Sequence, residues 1–390
     1  MEITLQLPHP LYLLLGAVVL LLTAYYAPFA ILNIIAARPR APFQSEKTYI
    51  TTNPNDKQPV KRQLPCWYDR WLAEHHRDGG DDSGIEPAEL AMSVVFPAYN
   101  EEERILSTLE EAVEYLNKNF SSSSSTPSPS TSKKSGNKST NNQSNPTTGW
   151  EILIVNDGSK DRTVDVALDF ARQHNLHDAV RVITLERNRG KGGAVTHGLR
   201  HVRGEYALFA DADGASRFSD LGNLIEGCKH VSGSGSTKLG VAIGSRAHLV
   251  ASEAVVKRSA LRNFLMRSFH LVLKILTPPA TSRLRDTQCG FKLFTRSALP
   301  HIVPFMHAEG WIFDIEMLML AESAPGAPVR NSDGDVIGDS PGIKVAEIPI
   351  TWHEVPGSKL NVMTDSVKMA LGLAILRASW MLGVYRRRLT

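Results

Sequence analysis

The chain has 390 residues, with 43 Lys and Arg against 40 Asp and Glu, so its net charge is only +3. A nearly balanced charge argues against nucleic acid as the main partner, and the length suits one large α/β domain with attachments. The three cysteines, Cys66, Cys228 and Cys289, are widely spaced and odd in number. They predict neither a disulfide framework nor a zinc site, which is typical of a reducing compartment.

The first predicted element is a membrane helix. Residues from Leu11 to Ala37 include no charged side chain and exceed the ~20 residues needed to cross a bilayer. A cleaved signal peptide is the alternative, but it would have a basic start and a shorter apolar core. Because Arg38 and Arg40 follow the apolar run, we predict a single-pass anchor over residues 1–40, with the rest of the chain in the cytoplasm.

A juxtamembrane connector is predicted over residues 41–90, which are polar, with a short helix near Trp67–His76. The main domain is predicted to span residues 91–355, starting with a buried strand at 92–97 and an amphipathic helix. Residues 121–148 include no aliphatic or aromatic side chain. Such a segment cannot offset its ordering entropy by burial, so we expect a disordered insertion there.

Strands and helices alternate after this insertion. Strands are predicted at 151–155, 180–185 and 206–210, with helices at 161–173 and 193–202. Later strands are predicted at 241–245, 291–294 and 344–350, and a loop at 325–342. The alternation predicts an α/β fold with a Rossmann-like, mostly parallel sheet flanked by helices.

Two later segments, 253–276 and 369–385, combine apolar residues with Lys and Arg. We interpret the second, within residues 356–390, as an amphipathic helix associated with the membrane surface. A helix packed on the domain core shows the same apolar stripe, so this alternative stays open.

Asp211 and Asp213 follow the strand predicted at 206–210. Residues two apart share a face of an extended chain, so both carboxylates point the same way at the edge where open α/β sheets bind ligands. Two hard oxygen donors favour Mg²⁺ or Mn²⁺ carrying a substrate phosphate. A solvated turn or a helix N-cap is the alternative.

Two other strand ends carry candidate nucleotide contacts. Asp157 is placed to accept a hydrogen bond from a ring N–H such as that of uracil, although a capping turn would also use Asp. In the loop 187–193, glycines and Lys191 favour a diphosphate. Because Val195 occupies the third glycine position of the dinucleotide fingerprint, an oxidoreductase is disfavoured.

Taken together, these motifs resemble the inverting nucleotide-sugar glycosyltransferases of family 2, which have a GT-A fold. The resemblance covers residues 10–37 and 92–385, and is strongest to the membrane-anchored members that use a dolichyl phosphate acceptor. It rests on an ordered set of motifs: Phe96-Pro97-Ala98-Tyr99-Asn100-Glu101-Glu102, Val155-Asn156-Asp157-Gly158-Ser159, Arg187-Asn188-Arg189-Gly190-Lys191-Gly192, Asp211-Ala212-Asp213-Gly214, Asp286-Thr287-Gln288-Cys289-Gly290-Phe291-Lys292, Trp311-Ile312-Phe313-Asp314-Ile315-Glu316 and Trp352-His353-Glu354-Val355-Pro356-Gly357-Ser358-Lys359.

The resemblance implies transfer of glucose from UDP-glucose to dolichyl phosphate at the cytoplasmic face of the endoplasmic reticulum membrane, for protein N-glycosylation. It implies that Asp157 holds the uracil, that Asp211 lies near the ribose and the metal, and that Asp213 ligates Mg²⁺ or Mn²⁺. Related mannosyltransferases place a Gln where this chain has Ala215, so a third protein ligand is in doubt. The other implied donor-site residues are Pro97, Tyr99, Glu101, Asn188 and Lys191.

On the acceptor side, the resemblance implies phosphate contacts from Arg246, Ser358 and Lys359. A phosphate monoester with its second pKa near ~6 is already mostly dianionic, so a strong general base is less necessary than for a sugar hydroxyl. Direct displacement at the anomeric carbon would invert α-linked glucose to a β-linked product. Trp352 could line the sugar pocket, but it and His353 more often play packing roles.

Asp286 and Asp314 are the candidate catalytic base or positioning acids, with Glu316 third. The alternative is a structural carboxylate that pairs with Arg283, Arg285 or a helix N-terminus. Two other functions also stay open: transfer of mannose from GDP-mannose to a polyprenyl phosphate, and non-catalytic binding of a nucleotide sugar at the membrane.

Overall fold

Strands and helices alternate through most of the chain. The computed structural model describes residues 9–78, 85–121, 148–232, 239–251, 271–325, 327–330, 336–340, 342–355 and 362–385. The strands are β1 (Thr48–Asn53), β2 (Asp56–Gln63), β3 (Leu90–Ala98), β4 (Trp150–Asn156), β5 (Val180–Thr184), β6 (Gly204–Ala210), β7 (Val241–Ser245), β8 (Phe291–Thr295), β9 (Ala327–Arg330), β10 (Val336–Ser340) and β11 (Val345–Pro349). The helices are α1 (His9–Ile35), α2 (Trp67–Asp78), α3 (Ile105–Phe120), α4 (Thr163–Gln173), α5 (Gly190–Leu199), α6 (Leu221–Ser232), α7 (Pro279–Arg283), α8 (Phe313–Glu322) and α9 (Val362–Met381).

A nine-stranded mixed sheet forms the centre of the main domain, in the order β11-β7-β8-β6-β3-β4-β5-β1-β2. The neighbours β6, β3, β4 and β5 are parallel, and so are β11 and β7. β8 runs antiparallel between β6 and β7, and β1 runs antiparallel to β5. The predicted α/β fold class is confirmed, and the carboxyl ends of β3, β4, β5 and β6 lie at one edge of the sheet.

Helices cover both faces of the sheet, so central strands such as β4 and β6 are buried on both sides. On one face α2, α5 and α8 form a single apolar cluster with the sheet, and on the other α3, α4 and α6 do so. The predicted stripe of α3 is buried, as its helical spacing requires: Ile105, Leu109, Ala112, Val113 and Leu116.

The predicted connector over residues 41–90 differs from the structure. β1 and β2 form an antiparallel hairpin that extends the sheet beside β5, so the folded domain begins well before residue 91. β2 is an edge strand with the sequence DKQPVKRQ, and an edge is where a polar strand containing proline is tolerated. The helix predicted near Trp67–His76 is confirmed as α2.

The predicted loop at 325–342 also needs correction, since β9 and β10 pair as an antiparallel two-stranded sheet within it. The predicted disordered insertion at 121–148 lies almost entirely outside the described residues, as does most of the basic segment 253–276. The other predicted strands and helices are confirmed within a few residues of their bounds.

Most of the described side chains of the N-terminal helix α1 are exposed, although Leu32 near its end is buried, and residues Tyr12–Ile35 are long and apolar enough to cross a membrane. α9 contacts α1 and packs on α8, where Leu373 and Leu376 join Ile315 and Met319 in a small apolar cluster. The C-terminal helix therefore packs on the domain, as the alternative interpretation expects, and its association with the membrane surface stays a prediction. Its other face remains apolar and exposed at Val367 and Leu371.

The chain that leaves α1 is fixed to the domain by a buried carboxylate. Glu46 is fully buried and accepts hydrogen bonds from Arg40 Nη1 at 2.8 Å and from the N–H groups of Phe43 and Glu186 at 2.9 Å. Burial alone would raise the pKa of Glu46, but these donors lower it to about 2. The carboxylate therefore stays ionised and holds the segment after α1 against the end of β5.

We expect Glu46→Gln to lower the free energy of unfolding by about 3 kcal/mol at neutral pH, because removal of one charge leaves Arg40 without its buried counter-ion. Since the folded-state pKa lies below the ordinary value, this contribution is complete above pH ~4.5 and is lost as the pH falls toward 2. Thermal unfolding of the detergent-solubilised protein measures it.

Lys47→Gln is the matched control, because it breaks the partly exposed pair with Asp69 and should change stability by less than about 1 kcal/mol. Equal losses in the two variants would show that the Glu46 pair has no special role.

Candidate functional site

Three chain segments meet where β4, β5 and β6 end. Asp157 follows β4, and Asp211 follows β6. The segment 187–193, predicted as a loop and called the loop 187–193 below, follows β5 and includes the first turn of α5, which begins at Gly190. These strands share one parallel edge with β3, so their carboxyl ends lie side by side. The structure thus brings together the elements whose convergence the sequence predicts.

Asp157 lies beneath the loop and holds it in place. Its side chain is buried, its Oδ1 accepts the N–H of Arg189 at 2.7 Å, and its carbonyl accepts Asn188 Nδ2 at 2.9 Å. Burial raises the pKa of Asp157 to about 6, although the N–H groups of Arg189 and Gly190 act against this. A carboxyl oxygen accepts more than one hydrogen bond, so this role leaves room for a ligand contact.

The glycines of the loop allow close packing against residues 308–313. Gly190 has φ of +75°, and a Cβ there would lie 2.7 Å from the carbonyl oxygen of Glu309. A Cβ on Gly192 would lie 2.6 Å from Cβ of Phe313. Arg189 Nε donates to Glu309 Oε1 at 2.7 Å, and this ion pair also holds the loop against the segment 308–313. The loop therefore needs glycine for packing, beyond the approach of a diphosphate.

Lys191 extends from this loop to the end of β6, where its Nζ lies 2.6 Å from Asp211 Oδ1. The ammonium also lies 5.3 Å from the centre of the Phe209 ring and 5.8 Å from that of Trp311. Burial alone would lower the pKa of Lys191, but Asp211 and Asp314 raise it above its ordinary value. A permanent cation is thus held next to the first of the two predicted metal ligands.

Asp211 packs directly on the chain before β8. Its N–H donates to the carbonyl of Gly290 at 2.9 Å, and a Cβ on Gly290 would overlap its carboxylate. Asp213 lies in the following turn, where its Oδ1 accepts the N–H of Ala215 at 3.1 Å. Both side chains are partly exposed.

Asp211 and Asp213 supply only part of the ligands that a hard cation such as Mg²⁺ needs. The described residues include no group of three or more His, Cys, Asp and Glu arranged to hold a metal ion. Two carboxylates are nevertheless what Mg²⁺ commonly takes from a protein when substrate phosphates complete its shell. Asp211 and Asp213 therefore fit an ion that arrives with a diphosphate, and fit poorly a metal held by the protein alone.

Asp286 and Arg246, predicted to have separate roles, bind each other. Asp286 accepts Nε and Nη2 of Arg246 at 2.7 and 2.8 Å, and its backbone N–H at 2.9 Å. Burial would raise the pKa of Asp286, yet the guanidinium lowers it below its ordinary value. Such a carboxylate is a weak base, so the geometry favours a positioning role for Asp286. The arginine that pairs with it is Arg246, whereas the sequence pointed to Arg283 or Arg285.

Asp314 is buried at the start of α8 and pairs with the ammonium of Lys292. Burial raises the pKa of Asp314, and the charges of Lys292 and Lys191 act in the opposite direction. Glu316, the third candidate, is buried and accepts the N–H groups of His307 and Ala308 at 2.9 and 2.7 Å. Glu316 is thus a structural carboxylate that orders the segment before α8.

The remaining predicted residues lie around the segments that follow β3 and β6. Pro97 pairs with Val155 in the sheet, Tyr99 is 37% exposed, and Glu101 pairs with Arg104 at 2.6 Å. Trp352 bridges to Ser216 just after Asp213, and its ring lies 5.6 Å from Cζ of Arg246. Ser358 and Lys359 lie outside the described residues.

Besides Arg246–Asp286, two other ion pairs at this edge were missed by reasoning from the sequence. Lys292 is fully buried within the otherwise apolar strand Phe291-Lys292-Leu293-Phe294, and that isolation is a signal that a buried counter-charge must exist. The Arg189–Glu309 pair joins residues far apart in the chain, and no local pattern indicates it.

Comparison with known proteins places this geometry in a family. A family model described as glycosyl transferase family 2 matches residues 137–230. The chain is 40% identical over 373 residues to the dolichyl-phosphate β-glucosyltransferase of Saccharomyces cerevisiae, covering 94% of this chain and 93% of the relative. It is 36% identical over 295 residues to the enzyme of that name from Homo sapiens, covering 76% and 77%.

Among solved structures, the chain is similar to glucosyl-3-phosphoglycerate synthase from Mycobacterium tuberculosis in complex with uridine diphosphate. The TM-score is 0.44 at 15% identity, and the match covers 74% of this chain and 80% of that one.

We expect the melting temperature of Asp157→Asn, relative to wild type, to rise between pH ~4 and ~7. The raised folded-state pKa means that the contribution of Asp157 to stability is complete below its ordinary value of 3.8 and is lost as the pH rises through about 6. Asparagine cannot ionise, so the variant escapes this loss. Thermal unfolding over a pH series measures the difference.

Asp161→Asn provides a control of opposite sign. The pKa of Asp161 is lowered: burial opposes the shift, and the side chain of Thr163 with the N–H of Glu102 outweighs it. Its relative melting temperature should therefore fall as the pH rises toward 3.8 and then stay level up to pH ~7, where that of Asp157→Asn rises. Parallel profiles for the two variants would contradict our account of Asp157.

Proposed function

Because the chain belongs to the dolichyl-phosphate β-glucosyltransferases, we propose that it transfers glucose from UDP-glucose to dolichyl phosphate, giving dolichyl β-D-glucosyl phosphate for protein N-glycosylation. The observation that supports this most directly is the 2.6 Å ion pair between Lys191 and Asp211. It joins a cationic loop suited to a diphosphate and a carboxylate suited to its metal at one point of the sheet edge.

The nucleoside is proposed to bind between the ends of β3 and β4. Asp157 lies there beside Asn188, and Tyr99 is exposed at the neighbouring strand end. Asp157 would accept the uracil N–H while its carboxyl continues to hold the loop through Arg189. Pro97 and Glu101 would shape this end by fixing the backbone on either side of Tyr99.

The diphosphate is proposed to lie across Lys191, Asp211 and Asp213. When bound, Mg²⁺ or Mn²⁺ held by the two carboxylates would offset the negative charge that grows on the departing diphosphate. Lys191 supports the same task from the protein, because its raised pKa keeps the ammonium charged next to the leaving group. The three groups are positioned before substrate arrives, which is what electrostatic stabilisation requires.

The acceptor is proposed to approach from the side of Arg246, whose side chain remains 35% exposed although it pairs with Asp286. Its guanidinium would contact the acceptor phosphate, as would Ser358 and Lys359. The phosphate oxygen attacks the anomeric carbon as an existing anion, so no residue has to remove a proton first. Asp286 then positions Arg246. Asp314, which pairs with Lys292, also adds negative charge near Lys191 and helps to keep its ammonium protonated.

The exposed helix α1 supports a membrane location, since Tyr12–Ile35 are apolar enough to span a bilayer. We propose that this helix anchors the enzyme in the endoplasmic reticulum membrane. Arg38 and Arg40 would then place the catalytic domain on the cytoplasmic side.

We expect the purified protein to transfer radiolabel from UDP-glucose, and much less from GDP-mannose, into chloroform-soluble dolichyl phosphate product. EDTA should abolish the transfer, and added Mg²⁺ or Mn²⁺ should restore it, because the part of the chain that the structure describes offers the ion two carboxylates, Asp211 and Asp213, and no larger ligand group. Equal or preferred transfer of mannose would contradict the proposed donor.

Asp213→Asn should reduce kcat by about 10²- to 10³-fold, the scale expected when one group that stabilises developing charge is lost. Asp169→Asn is the control, because Asp169 is half exposed on α4 and pairs only with a surface arginine, Arg172, among the described contacts. Initial rates with UDP-glucose measure both. Undiminished turnover in Asp213→Asn would contradict the proposed metal site, and absence of turnover in both the wild type and Asp169→Asn would favour non-catalytic binding of a nucleotide sugar.

A further inference from the structure

An apolar cavity of about 160 Å³ lies between the end of the membrane helix and the catalytic domain. Ile35 lines it from α1, Ile312 from the segment before α8, and Ile375 and Leu376 from α9. Gly310 and Gly372 also line it and contribute no side chain. The cavity therefore has walls from the anchor, the catalytic domain and the C-terminal helix.

One wall of this cavity is shared with the catalytic site. The segment 308–312 lines the cavity, and Ala308 and Glu309 from the same segment contact the glycines of the loop 187–193. Trp311 lies between two cavity residues, and its ring centre is 5.8 Å from Lys191 Nζ. The segment that lines the cavity is therefore the same segment that contacts the loop carrying Lys191.

The polar side chains of the lining already have partners. Glu309 is held by Arg189, and the hydroxyl of Tyr385 donates to the carbonyl of Ala37 at 3.0 Å. The ring of Tyr385 stacks on His307 with centres 3.8 Å apart. What the cavity offers a ligand is consequently apolar surface, and it adjoins the exposed apolar face of α1 at Ile34 and Ile35.

We propose that this cavity binds the first isoprenoid unit of the acceptor lipid, next to its phosphate. The inference rests on the proposed function and assigns the place where the lipid tail leaves the catalytic site. A dry apolar cavity of roughly 150 Å³ admits a molecule the size of benzene, so the cavity matches one five-carbon unit. The anionic head would then face Lys191 and Arg246, while the rest of the tail follows α1 into the bilayer.

Gly372 gives a direct way to fill the cavity. A Cβ at this position would first meet Ile312 at 3.8 Å, which is ordinary van der Waals contact, so a larger side chain extends into open space. Replacing a glycine inside a helix also favours the helix by up to ~1 kcal/mol. Gly372→Leu should therefore fold and occupy the proposed binding site.

Transfer of glucose from UDP-glucose to farnesyl phosphate tests the site. Gly372→Leu should raise the KM for farnesyl phosphate about tenfold, equivalent to about two methylene groups that are no longer buried. The KM for UDP-glucose and the kcat at saturating acceptor should stay unchanged. Val367→Leu is the matched control, because Val367 is an exposed residue of the same helix, and it should behave as wild type. An unchanged KM for farnesyl phosphate in Gly372→Leu would overturn the proposal.

Photolabelling separates this proposal from the proposed function. A farnesyl phosphate with a diazirine on its first isoprenoid unit should label peptides containing residues 308–312 or 372–376 in wild type but not in Gly372→Leu. Such labelling without any glucose transfer would reject the proposed function and keep the cavity as an isoprenoid site. Transfer without labelling there would reject the cavity. Loss of the label on adding phosphatidylcholine vesicles would also overturn the proposal, in favour of a phospholipid acyl chain.

Discussion

The ion pair between Lys191 and Asp211 is the contact on which the candidate site depends. Lys191 comes from a loop that Asp157 holds from below and Glu309 from the side. Asp211 ends β6 and packs on the glycine before β8. The two partners are thus held by different parts of the sheet. The ion pair forms only when the loop 187–193 and the end of β6 keep their relative positions. Any change that shifts the loop relative to β6 would separate a cation and an anion that are only partly solvated.

The glycine-rich loop shows how packing and chemistry use the same residues. Gly190 and Gly192 are required because the segment 308–313 passes too close for a side chain. The same absence of side chains leaves the backbone open to a diphosphate. A substitution there would therefore damage the fold and the proposed donor site together, and its kinetic effect would not report on phosphate binding alone.

The local sequence pattern was sufficient to predict the strands and loops that carry the site. It was not sufficient to predict the contacts between them. The apolar runs before Asp157 and Asp211 predicted buried strands, and parallel strands place their ends at one edge, so the convergence followed from geometry. β1 and β2 escaped prediction because a polar edge hairpin lacks the hydrophobic signal of a central strand. The pairs Lys292–Asp314, Arg246–Asp286 and Arg189–Glu309 join residues brought together only by the tertiary fold. Their charges were visible in the sequence, but their partners were not.

The pair between Arg40 and the buried Glu46 limits how far the folded domain can move from the end of α1. α1 ends at Ile35 and Arg40 is already bonded to the domain, so only residues 36–39 separate the two. Four extended residues span at most ~14 Å. With α1 in the bilayer, as proposed, the catalytic edge would stay at a nearly constant height above the membrane and would meet only acceptors that diffuse laterally within it. Encounter with the lipid becomes a two-dimensional search, and only the soluble sugar donor has to be found in three dimensions.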